Sequence, residues 1–145
     1  MQKKTFNKKS CKRNYYVNEH GRGFDLGHVS ELGSKGETAM WVFTETGFVS
    51  AVRKPEEPKY ITVRAREKQS LEVLSELAEK SIIDTPYGDY AYRVLVTDEV
   101  FKAWLATSVD MLDYDNFKNR IWDTRGDEFH DALGDVWTAM YKLQK

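Results

Sequence analysis

Residues 40–52 read MWVFTETGFVSAV, and their reading decides the fold class. Two β-branched and aromatic runs, 41–44 and 48–53, flank Glu45-Thr46-Gly47, with glycine where a short hairpin needs positive φ. The stretch predicts an antiparallel hairpin. Before it lie 39 residues rich in charge, Gly and Asn; after it the apolar residues fall into regular strand and helix periods. A single compact domain is therefore expected over 40–145, with 1–39 a basic, flexible or upstream extension.

Working outward from the hairpin, Pro55 and Pro58 bracket a connection, and residues 60–66 (YITVRAR) alternate as a strand. Ile61, Val63 and Ala65 should face one side, and Thr62, Arg64 and Arg66 the other. Over 67–80, Leu71, Leu74, Leu77 and Ala78 form an apolar stripe opposite Glu72, Glu76 and Glu79, which predicts a surface helix. A loop over 84–89 with Pro86 and Gly88 precedes a strand over 90–96 (YAYRVLV). Thr97 should N-cap the next helix, with Asp98 and Glu99 in its first turn and Val100, Phe101, Trp104, Leu105, Val109 and Leu112 on its apolar face.

A short helix over 115–122 should bury Phe117 and Ile121 and break at 124–126. Asp127 can cap a last helix carrying Phe129, Leu133, Val136, Met140 and Leu143 at spacings of 4, 3, 4 and 3. The order β-β-β-α-β-α-α-α predicts an α+β domain, a mainly antiparallel sheet of about four strands covered by helices. The third and fourth strands, joined through a helix, should run parallel if they are neighbours.

Composition narrows the function classes. Cys11 is the one cysteine, so an intrachain disulfide, a CxxC pair and a Cys-rich zinc cluster are excluded. No apolar run approaches the ~18 residues of a membrane span, and the basic N-terminal residues lack the apolar segment of a signal peptide. A soluble, cytoplasmic protein is expected. The formal net charge of −1 hides a split: residues 1–39 hold eight Lys/Arg against four Asp/Glu, and 40–145 hold fourteen against nineteen. The basic segment reads as a solvated leader or as an arm for nucleic acid or a membrane surface, whereas the acidic domain argues against nucleic acid as its partner.

Within the basic segment, SKGETAM (34–40) permits a purine-rich ribosome-binding site ahead of Met40. Met40 would then be the native start, and pyrimidine-rich codons at Gly36 and Glu37 would exclude that reading. Cys11, His20, Asp25 and His28 could ligate zinc, but C-x8-H-x7-H is not the spacing of a common zinc module. Gly21, Gly23 and Gly27 echo a nucleotide loop without the preceding strand and following helix that such a loop requires.

Met40, Trp41, Phe43, Thr44, Gly47, Phe48, Ser50 and Val52 resemble the opening of a family of small uncharacterised bacterial proteins, MWxFTxxGFxSxV. Residues 63–66 (VRAR), Tyr92-Arg93, 113–119 (DYDNFKN), His130, Val136-Trp137 and Leu143-Gln144 are also similar to that family. The likeness covers 40–145, with Val49 standing where a second Phe is expected. It implies no reaction; it implies that 1–39 lie outside the unit.

The best chemical constellation is a set of strand arginines. Arg64 and Arg66 share one strand face, and Arg93 lies opposite Tyr92 and Val94, so helices on the Tyr92 side leave all three on the other face, with Trp41, Phe43 and Ser50 nearby. Guanidinium groups beside aromatic rings bind phosphates and stack bases. The alternative is that the last helices cover this face and Asp113, Asp115 or Asp135 pair with the arginines. Asp113 and Asp115 could instead hold a divalent cation, with Lys118 and Asn119 facing a substrate, or could cap the short helix.

His130 is the domain's one histidine and a candidate general base, or a half-buried hydrogen-bonded residue on the last helix. Ser50 lacks a nucleophile elbow. The leading expectation is a non-enzymatic module that binds an anionic ligand or a macromolecular partner through Arg64, Arg66, Arg93, Trp41, Phe43 and Ser50. It needs no cofactor, and a small anion or a protein is favoured over nucleic acid or membrane. The alternatives are a small phosphoester or nucleotide hydrolase using His130 with Asp113 and Asp115, and a protein-interacting regulator such as a mobile-element-encoded inhibitor. An oligomer is compatible with all three.

Overall fold

The computed structural model of the chain describes residues 15–17, 23–25, 39–112 and 116–144. The chain forms two compact units, Met1–Gly36 and Glu37–Lys145. In the first, β1 (Tyr15–Val17) pairs antiparallel with β2 (Gly23–Asp25). A strand therefore does precede Gly21, which the sequence reading had not foreseen; three residues are too few to display a period. Cys11, His20 and His28 lie outside the described residues.

The second unit is α+β. Its sheet has five strands in the order β3 (Ala39–Thr44), β4 (Gly47–Val52), β5 (Ile61–Ala65), β7 (Tyr92–Val96), β6 (Ile83–Asp84), and every neighbouring pair is antiparallel. The hairpin of β3 and β4 turns at Glu45-Thr46, where the two threonine hydroxyls Thr44 Oγ1 and Thr46 Oγ1 are 2.8 Å apart and Gly47 takes φ +142°.

The strand over 60–66 and the strand over 90–96 are neighbours, but antiparallel rather than parallel. Between them in the chain comes β6, a two-residue strand too short to read from sequence, which pairs on the far side of β7. From β6 the chain reverses through 85–91, where Thr85 accepts from Gly88 N and donates its own N–H to Ala91 O, and enters β7 beside β5.

One sheet face carries the core. Ala51, Val63 and Val94 lie in register across β4, β5 and β7, with Val49, Ala65 and Val96 on the same side. A 3-10 turn (Lys68–Leu71), α1 (Glu72–Ala78) and α2 (Asp98–Asp110) cover that face with Leu71, Leu74, Phe101 and Trp104, all buried. Burying each of these side chains contributes about 1.5–3 kcal/mol. Leu77 was expected in this stripe, but is 47% exposed. The buried line follows i, i+3, i+7 as Leu71, Leu74 and Ala78, which leaves Leu77 on its flank, and Glu79 then ends the helix in the left-handed region.

Thr97 caps α2 as its position predicts, its Oγ1 accepting from Val100 N at 3.4 Å. The Arg53 guanidinium, hydrogen-bonded to Asp98 at 2.6 Å, lowers the Asp98 pKa, and a backbone hydrogen bond followed by the Thr97 hydroxyl lowers that of Glu99. Val109 and Leu112, expected on the buried face, are exposed: the buried residues of α2, Phe101 and Trp104, lie no further along than its middle, and Leu112 lies beyond its end.

Two helices follow, α3 (Phe117–Arg125) and α4 (Asp127–Tyr141). The cap of α3 is Asn116, accepting from Lys118 N at 3.0 Å; Asp113 and Asp115 lie outside the described residues. Gly126, at φ +78°, both ends α3 and starts α4, so Asp127 sits in the first turn of α4 instead of capping it. Ile121 is buried, but Phe117 is exposed and no residue of α4 is buried, contrary to the stripe expected there. Among the described residues no helix is long and apolar enough to cross a membrane.

Candidate functional site

The second face of the sheet holds the arginines. Ser50, Arg64 and Arg93 are register partners across β4, β5 and β7, while Trp41 opposes Ser50 and Phe43 opposes Phe48. Strand alternation thus brings Trp41, Phe43, Ser50, Arg64 and Arg93 to one side, away from the core helices. Arg66, just past β5, joins them through Tyr90, whose ring centroid lies 4.6 Å from the Arg64 guanidinium carbon and 5.2 Å from that of Arg66.

Arg64 is the centre of this arrangement. Its Nη2 donates to Ser50 Oγ at 3.0 Å, and its Nη1 stands 3.9 Å from Asp89 Oδ2, beyond hydrogen-bond reach. Its Nε is buried and has no partner among the described residues. The same holds for Thr62 Oγ1, two residues back on the same strand face. Arg93 Nε donates to Thr85 Oγ1 at 3.2 Å. Among the described residues no carboxylate lies within ion-pair distance of Arg66 or Arg93, and Asp135 pairs with none of the three arginines.

Ser50 is fully buried, and its hydroxyl accepts from Arg64. That is a positioning contact, and among the described residues no histidine bonds to it. Trp41 is 66% exposed and Phe43 38%, and both pack on Phe48, edge-on at 5.6 Å and stacked at 4.6 Å. Phe48 also approaches Tyr90 at 6.4 Å, which links the aromatic patch to the guanidinium groups.

Sequence reasoning missed Phe48 and Tyr90. Phe48 was legible, since it has the parity of Ser50. Tyr90 was not, because alternation within 90–96 puts it on the core side with Tyr92; a bend over 88–91 starts the strand at Tyr92 and releases Tyr90 to the arginine side.

His130 contacts none of the three arginines among the described residues. It lines an apolar cleft of about 240 Å³ between α3 and α4, together with Phe43, Ile121 and Trp137, and none of the three arginines is in that lining. Its Nδ1 is 3.2 Å from Asp131 Oδ1 and its ring 5.2 Å from that of Trp122. Among the described residues no group of three or more His, Cys, Asp or Glu could hold a metal ion.

Arg125 ties α3 to the hairpin: its side chain is 5% exposed, donates to Thr46 O, pairs with Glu67 and stacks at 4.3 Å over Phe129. Arg120 pairs with Glu45 at 2.8 Å. No protein-family model, no curated protein and no solved structure matches the chain.

Proposed function

We propose that this chain is a small non-enzymatic binding module that takes an anionic group on the sheet face of Ser50, Thr62, Arg64 and Arg93, with Arg66 and Trp41 at its border. The observation that carries this reading is the pair of buried atoms Arg64 Nε and Thr62 Oγ1 on one face of β5, neither with a partner among the described residues. Residues i and i+2 of a strand are separated by about 7 Å, so one multi-oxygen anion can reach both. An unmet buried donor costs about 1–3 kcal/mol, more when charged. An anionic oxygen accepting from Arg64 and Thr62 removes that cost on binding.

Two further features support the reading. Arg66 and Arg93 have no carboxylate partner among the described residues, so their charge is available to a ligand. Exposed Trp41 and Phe43 offer a stacking surface for the apolar or aromatic part of the same ligand. Phosphate and carboxylate share this recognition chemistry, whether carried by a small molecule or by a protein side chain. The hydrolase alternative needs His130 beside the arginines, and no described contact joins them.

Thermal unfolding in inorganic phosphate and in pyrophosphate, against chloride at equal ionic strength, tests the site. Binding at a hundredfold excess over Kd stabilises by about 2.7 kcal/mol, a shift of several degrees for a domain of this size. The shift should vanish in Arg64→Ala and shrink in Arg64→Lys, which keeps the charge but loses the planar donor set. A wild-type midpoint unmoved by both anions refutes the reading.

A further inference from the structure

The α3–α4 hairpin leaves most of its apolar surface uncovered. α4 has no buried residue and α3 buries Ile121 alone, although the spacing of Phe129, Leu133, Val136, Met140 and Leu143 is that of a helix-pairing seam. Phe117, Val136, Trp137, Met140, Tyr141 and Leu143 are between 38% and 69% exposed. Three half-exposed aromatics and three aliphatics present on the order of 400–500 Å² of apolar surface. A stable interface of about 800 Å² per partner that is ~56–65% apolar carries about that much.

Charge identifies the occupant. The patch itself has no charged residue, but its two ends differ in sign. Asp127, Glu128 and Asp131 lie in the N-terminal half of α4, and Asp135 just past its middle. Lys142 follows the C-terminal end, and Lys118 Nζ sits there too, 4.5 Å from the Trp137 ring centroid. A second α4 laid antiparallel across the first puts each acidic end beside the other's lysines and opposes the two helix dipoles. A parallel arrangement puts like charges together. Antiparallel self-pairing about a twofold axis is also the geometry in which one patch complements itself.

We infer that the α3–α4 hairpin is a dimerisation element, two copies of which close into a four-helix bundle. The seam is Val136, Met140 and Leu143 of each copy, flanked by Trp137 and Tyr141.

Light scattering on the full-length chain should give a dimer at micromolar concentration. The double variant Met140→Glu/Leu143→Glu should be monomeric with an unchanged far-ultraviolet circular dichroism spectrum. Leu77→Glu, which places a charge at an exposed leucine of α1, should remain dimeric. For wild-type protein, hydrogen exchange of the α4 amides should slow as concentration rises, a readout that needs no folded variant. A monomeric wild type overturns the inference, as does concentration-independent α4 exchange, the pattern expected if residues 1–36 covered the patch within one chain. So does a double variant that stays dimeric.

Discussion

Replacing Gly47 with alanine tests how the hairpin tip, the 3-10 turn and α3 are joined. Gly47 is buried and takes φ +142°, a region that L side chains rarely adopt. A Cβ there would stand 2.7 Å from Ser70 Cβ and 2.6 Å from Arg125 Nη1, and would also meet Ser70 Oγ. Ser70 Cβ sits next to the backbone of the turn that covers the core and cannot swing aside. Arg125 could move only by giving up its bonds to Thr46 O and Glu67.

The two costs are separate. Backbone strain in this φ region is about 1–3 kcal/mol, and overpacking a buried site adds about 1–3 kcal/mol. A loss of about 3 kcal/mol follows, a large part of the ~5–15 kcal/mol available to a domain. With a urea dependence of ~1–3 kcal/mol per molar, the midpoint should fall by about 1.5 M. Tryptophan fluorescence at one fixed protein concentration reads it, since Trp104 is buried in the core. A change within 0.5 kcal/mol, the scale of an ordinary surface substitution, would refute the reasoning about this contact.

Two further predictions concern other elements. Gly134 lies within α4 with nothing inside 4 Å of an added Cβ, so Gly134→Ala should stabilise by up to ~1 kcal/mol through helix propensity; a loss of stability in the same urea assay would contradict it. The Asp98 pKa is lowered from the ordinary 3.8 by Arg53, so its contribution is complete above the unfolded value and is lost as pH falls through the lower folded value. Below pH 3.8 wild type should therefore lose stability more steeply than Arg53→Gln, and carboxyl NMR titration should show the Asp98 pKa rising in that variant; an unmoved pKa rejects the pairing.

Local pattern reached far into this structure wherever the chain alternates or turns by itself. The hairpin around Glu45-Thr46-Gly47, the alternation of Ile61–Ala65, the Thr97 cap and the division of α3 from α4 at Gly126 all rest on neighbours within a few residues. Placement of Ser50, Arg64 and Arg93 on one face follows from the two-residue strand period once the core side is known. The period does not report adjacency. That Ser50, Arg64 and Arg93 are register partners depends on sheet order, β4 beside β5 and β5 beside β7, and the edge strand β6 beyond β7 has two residues that leave no periodic trace.

Residue identity on its own thus determined which segments pair locally, which side chains share a face, and that one apolar core forms. Three things required the tertiary structure. Tyr90 reached the arginines through a bend that strand alternation cannot express. The place of His130 followed from that of α3, against which α4 packs and which Arg120 and Arg125 tie to the hairpin tip by contacts spanning 75 and 79 residues from Glu45 and Thr46. And the apolar stripe of α4 stayed exposed: its spacing states only that the helix must bury that face against something, while what lies within reach is decided by where distant parts of the chain finish.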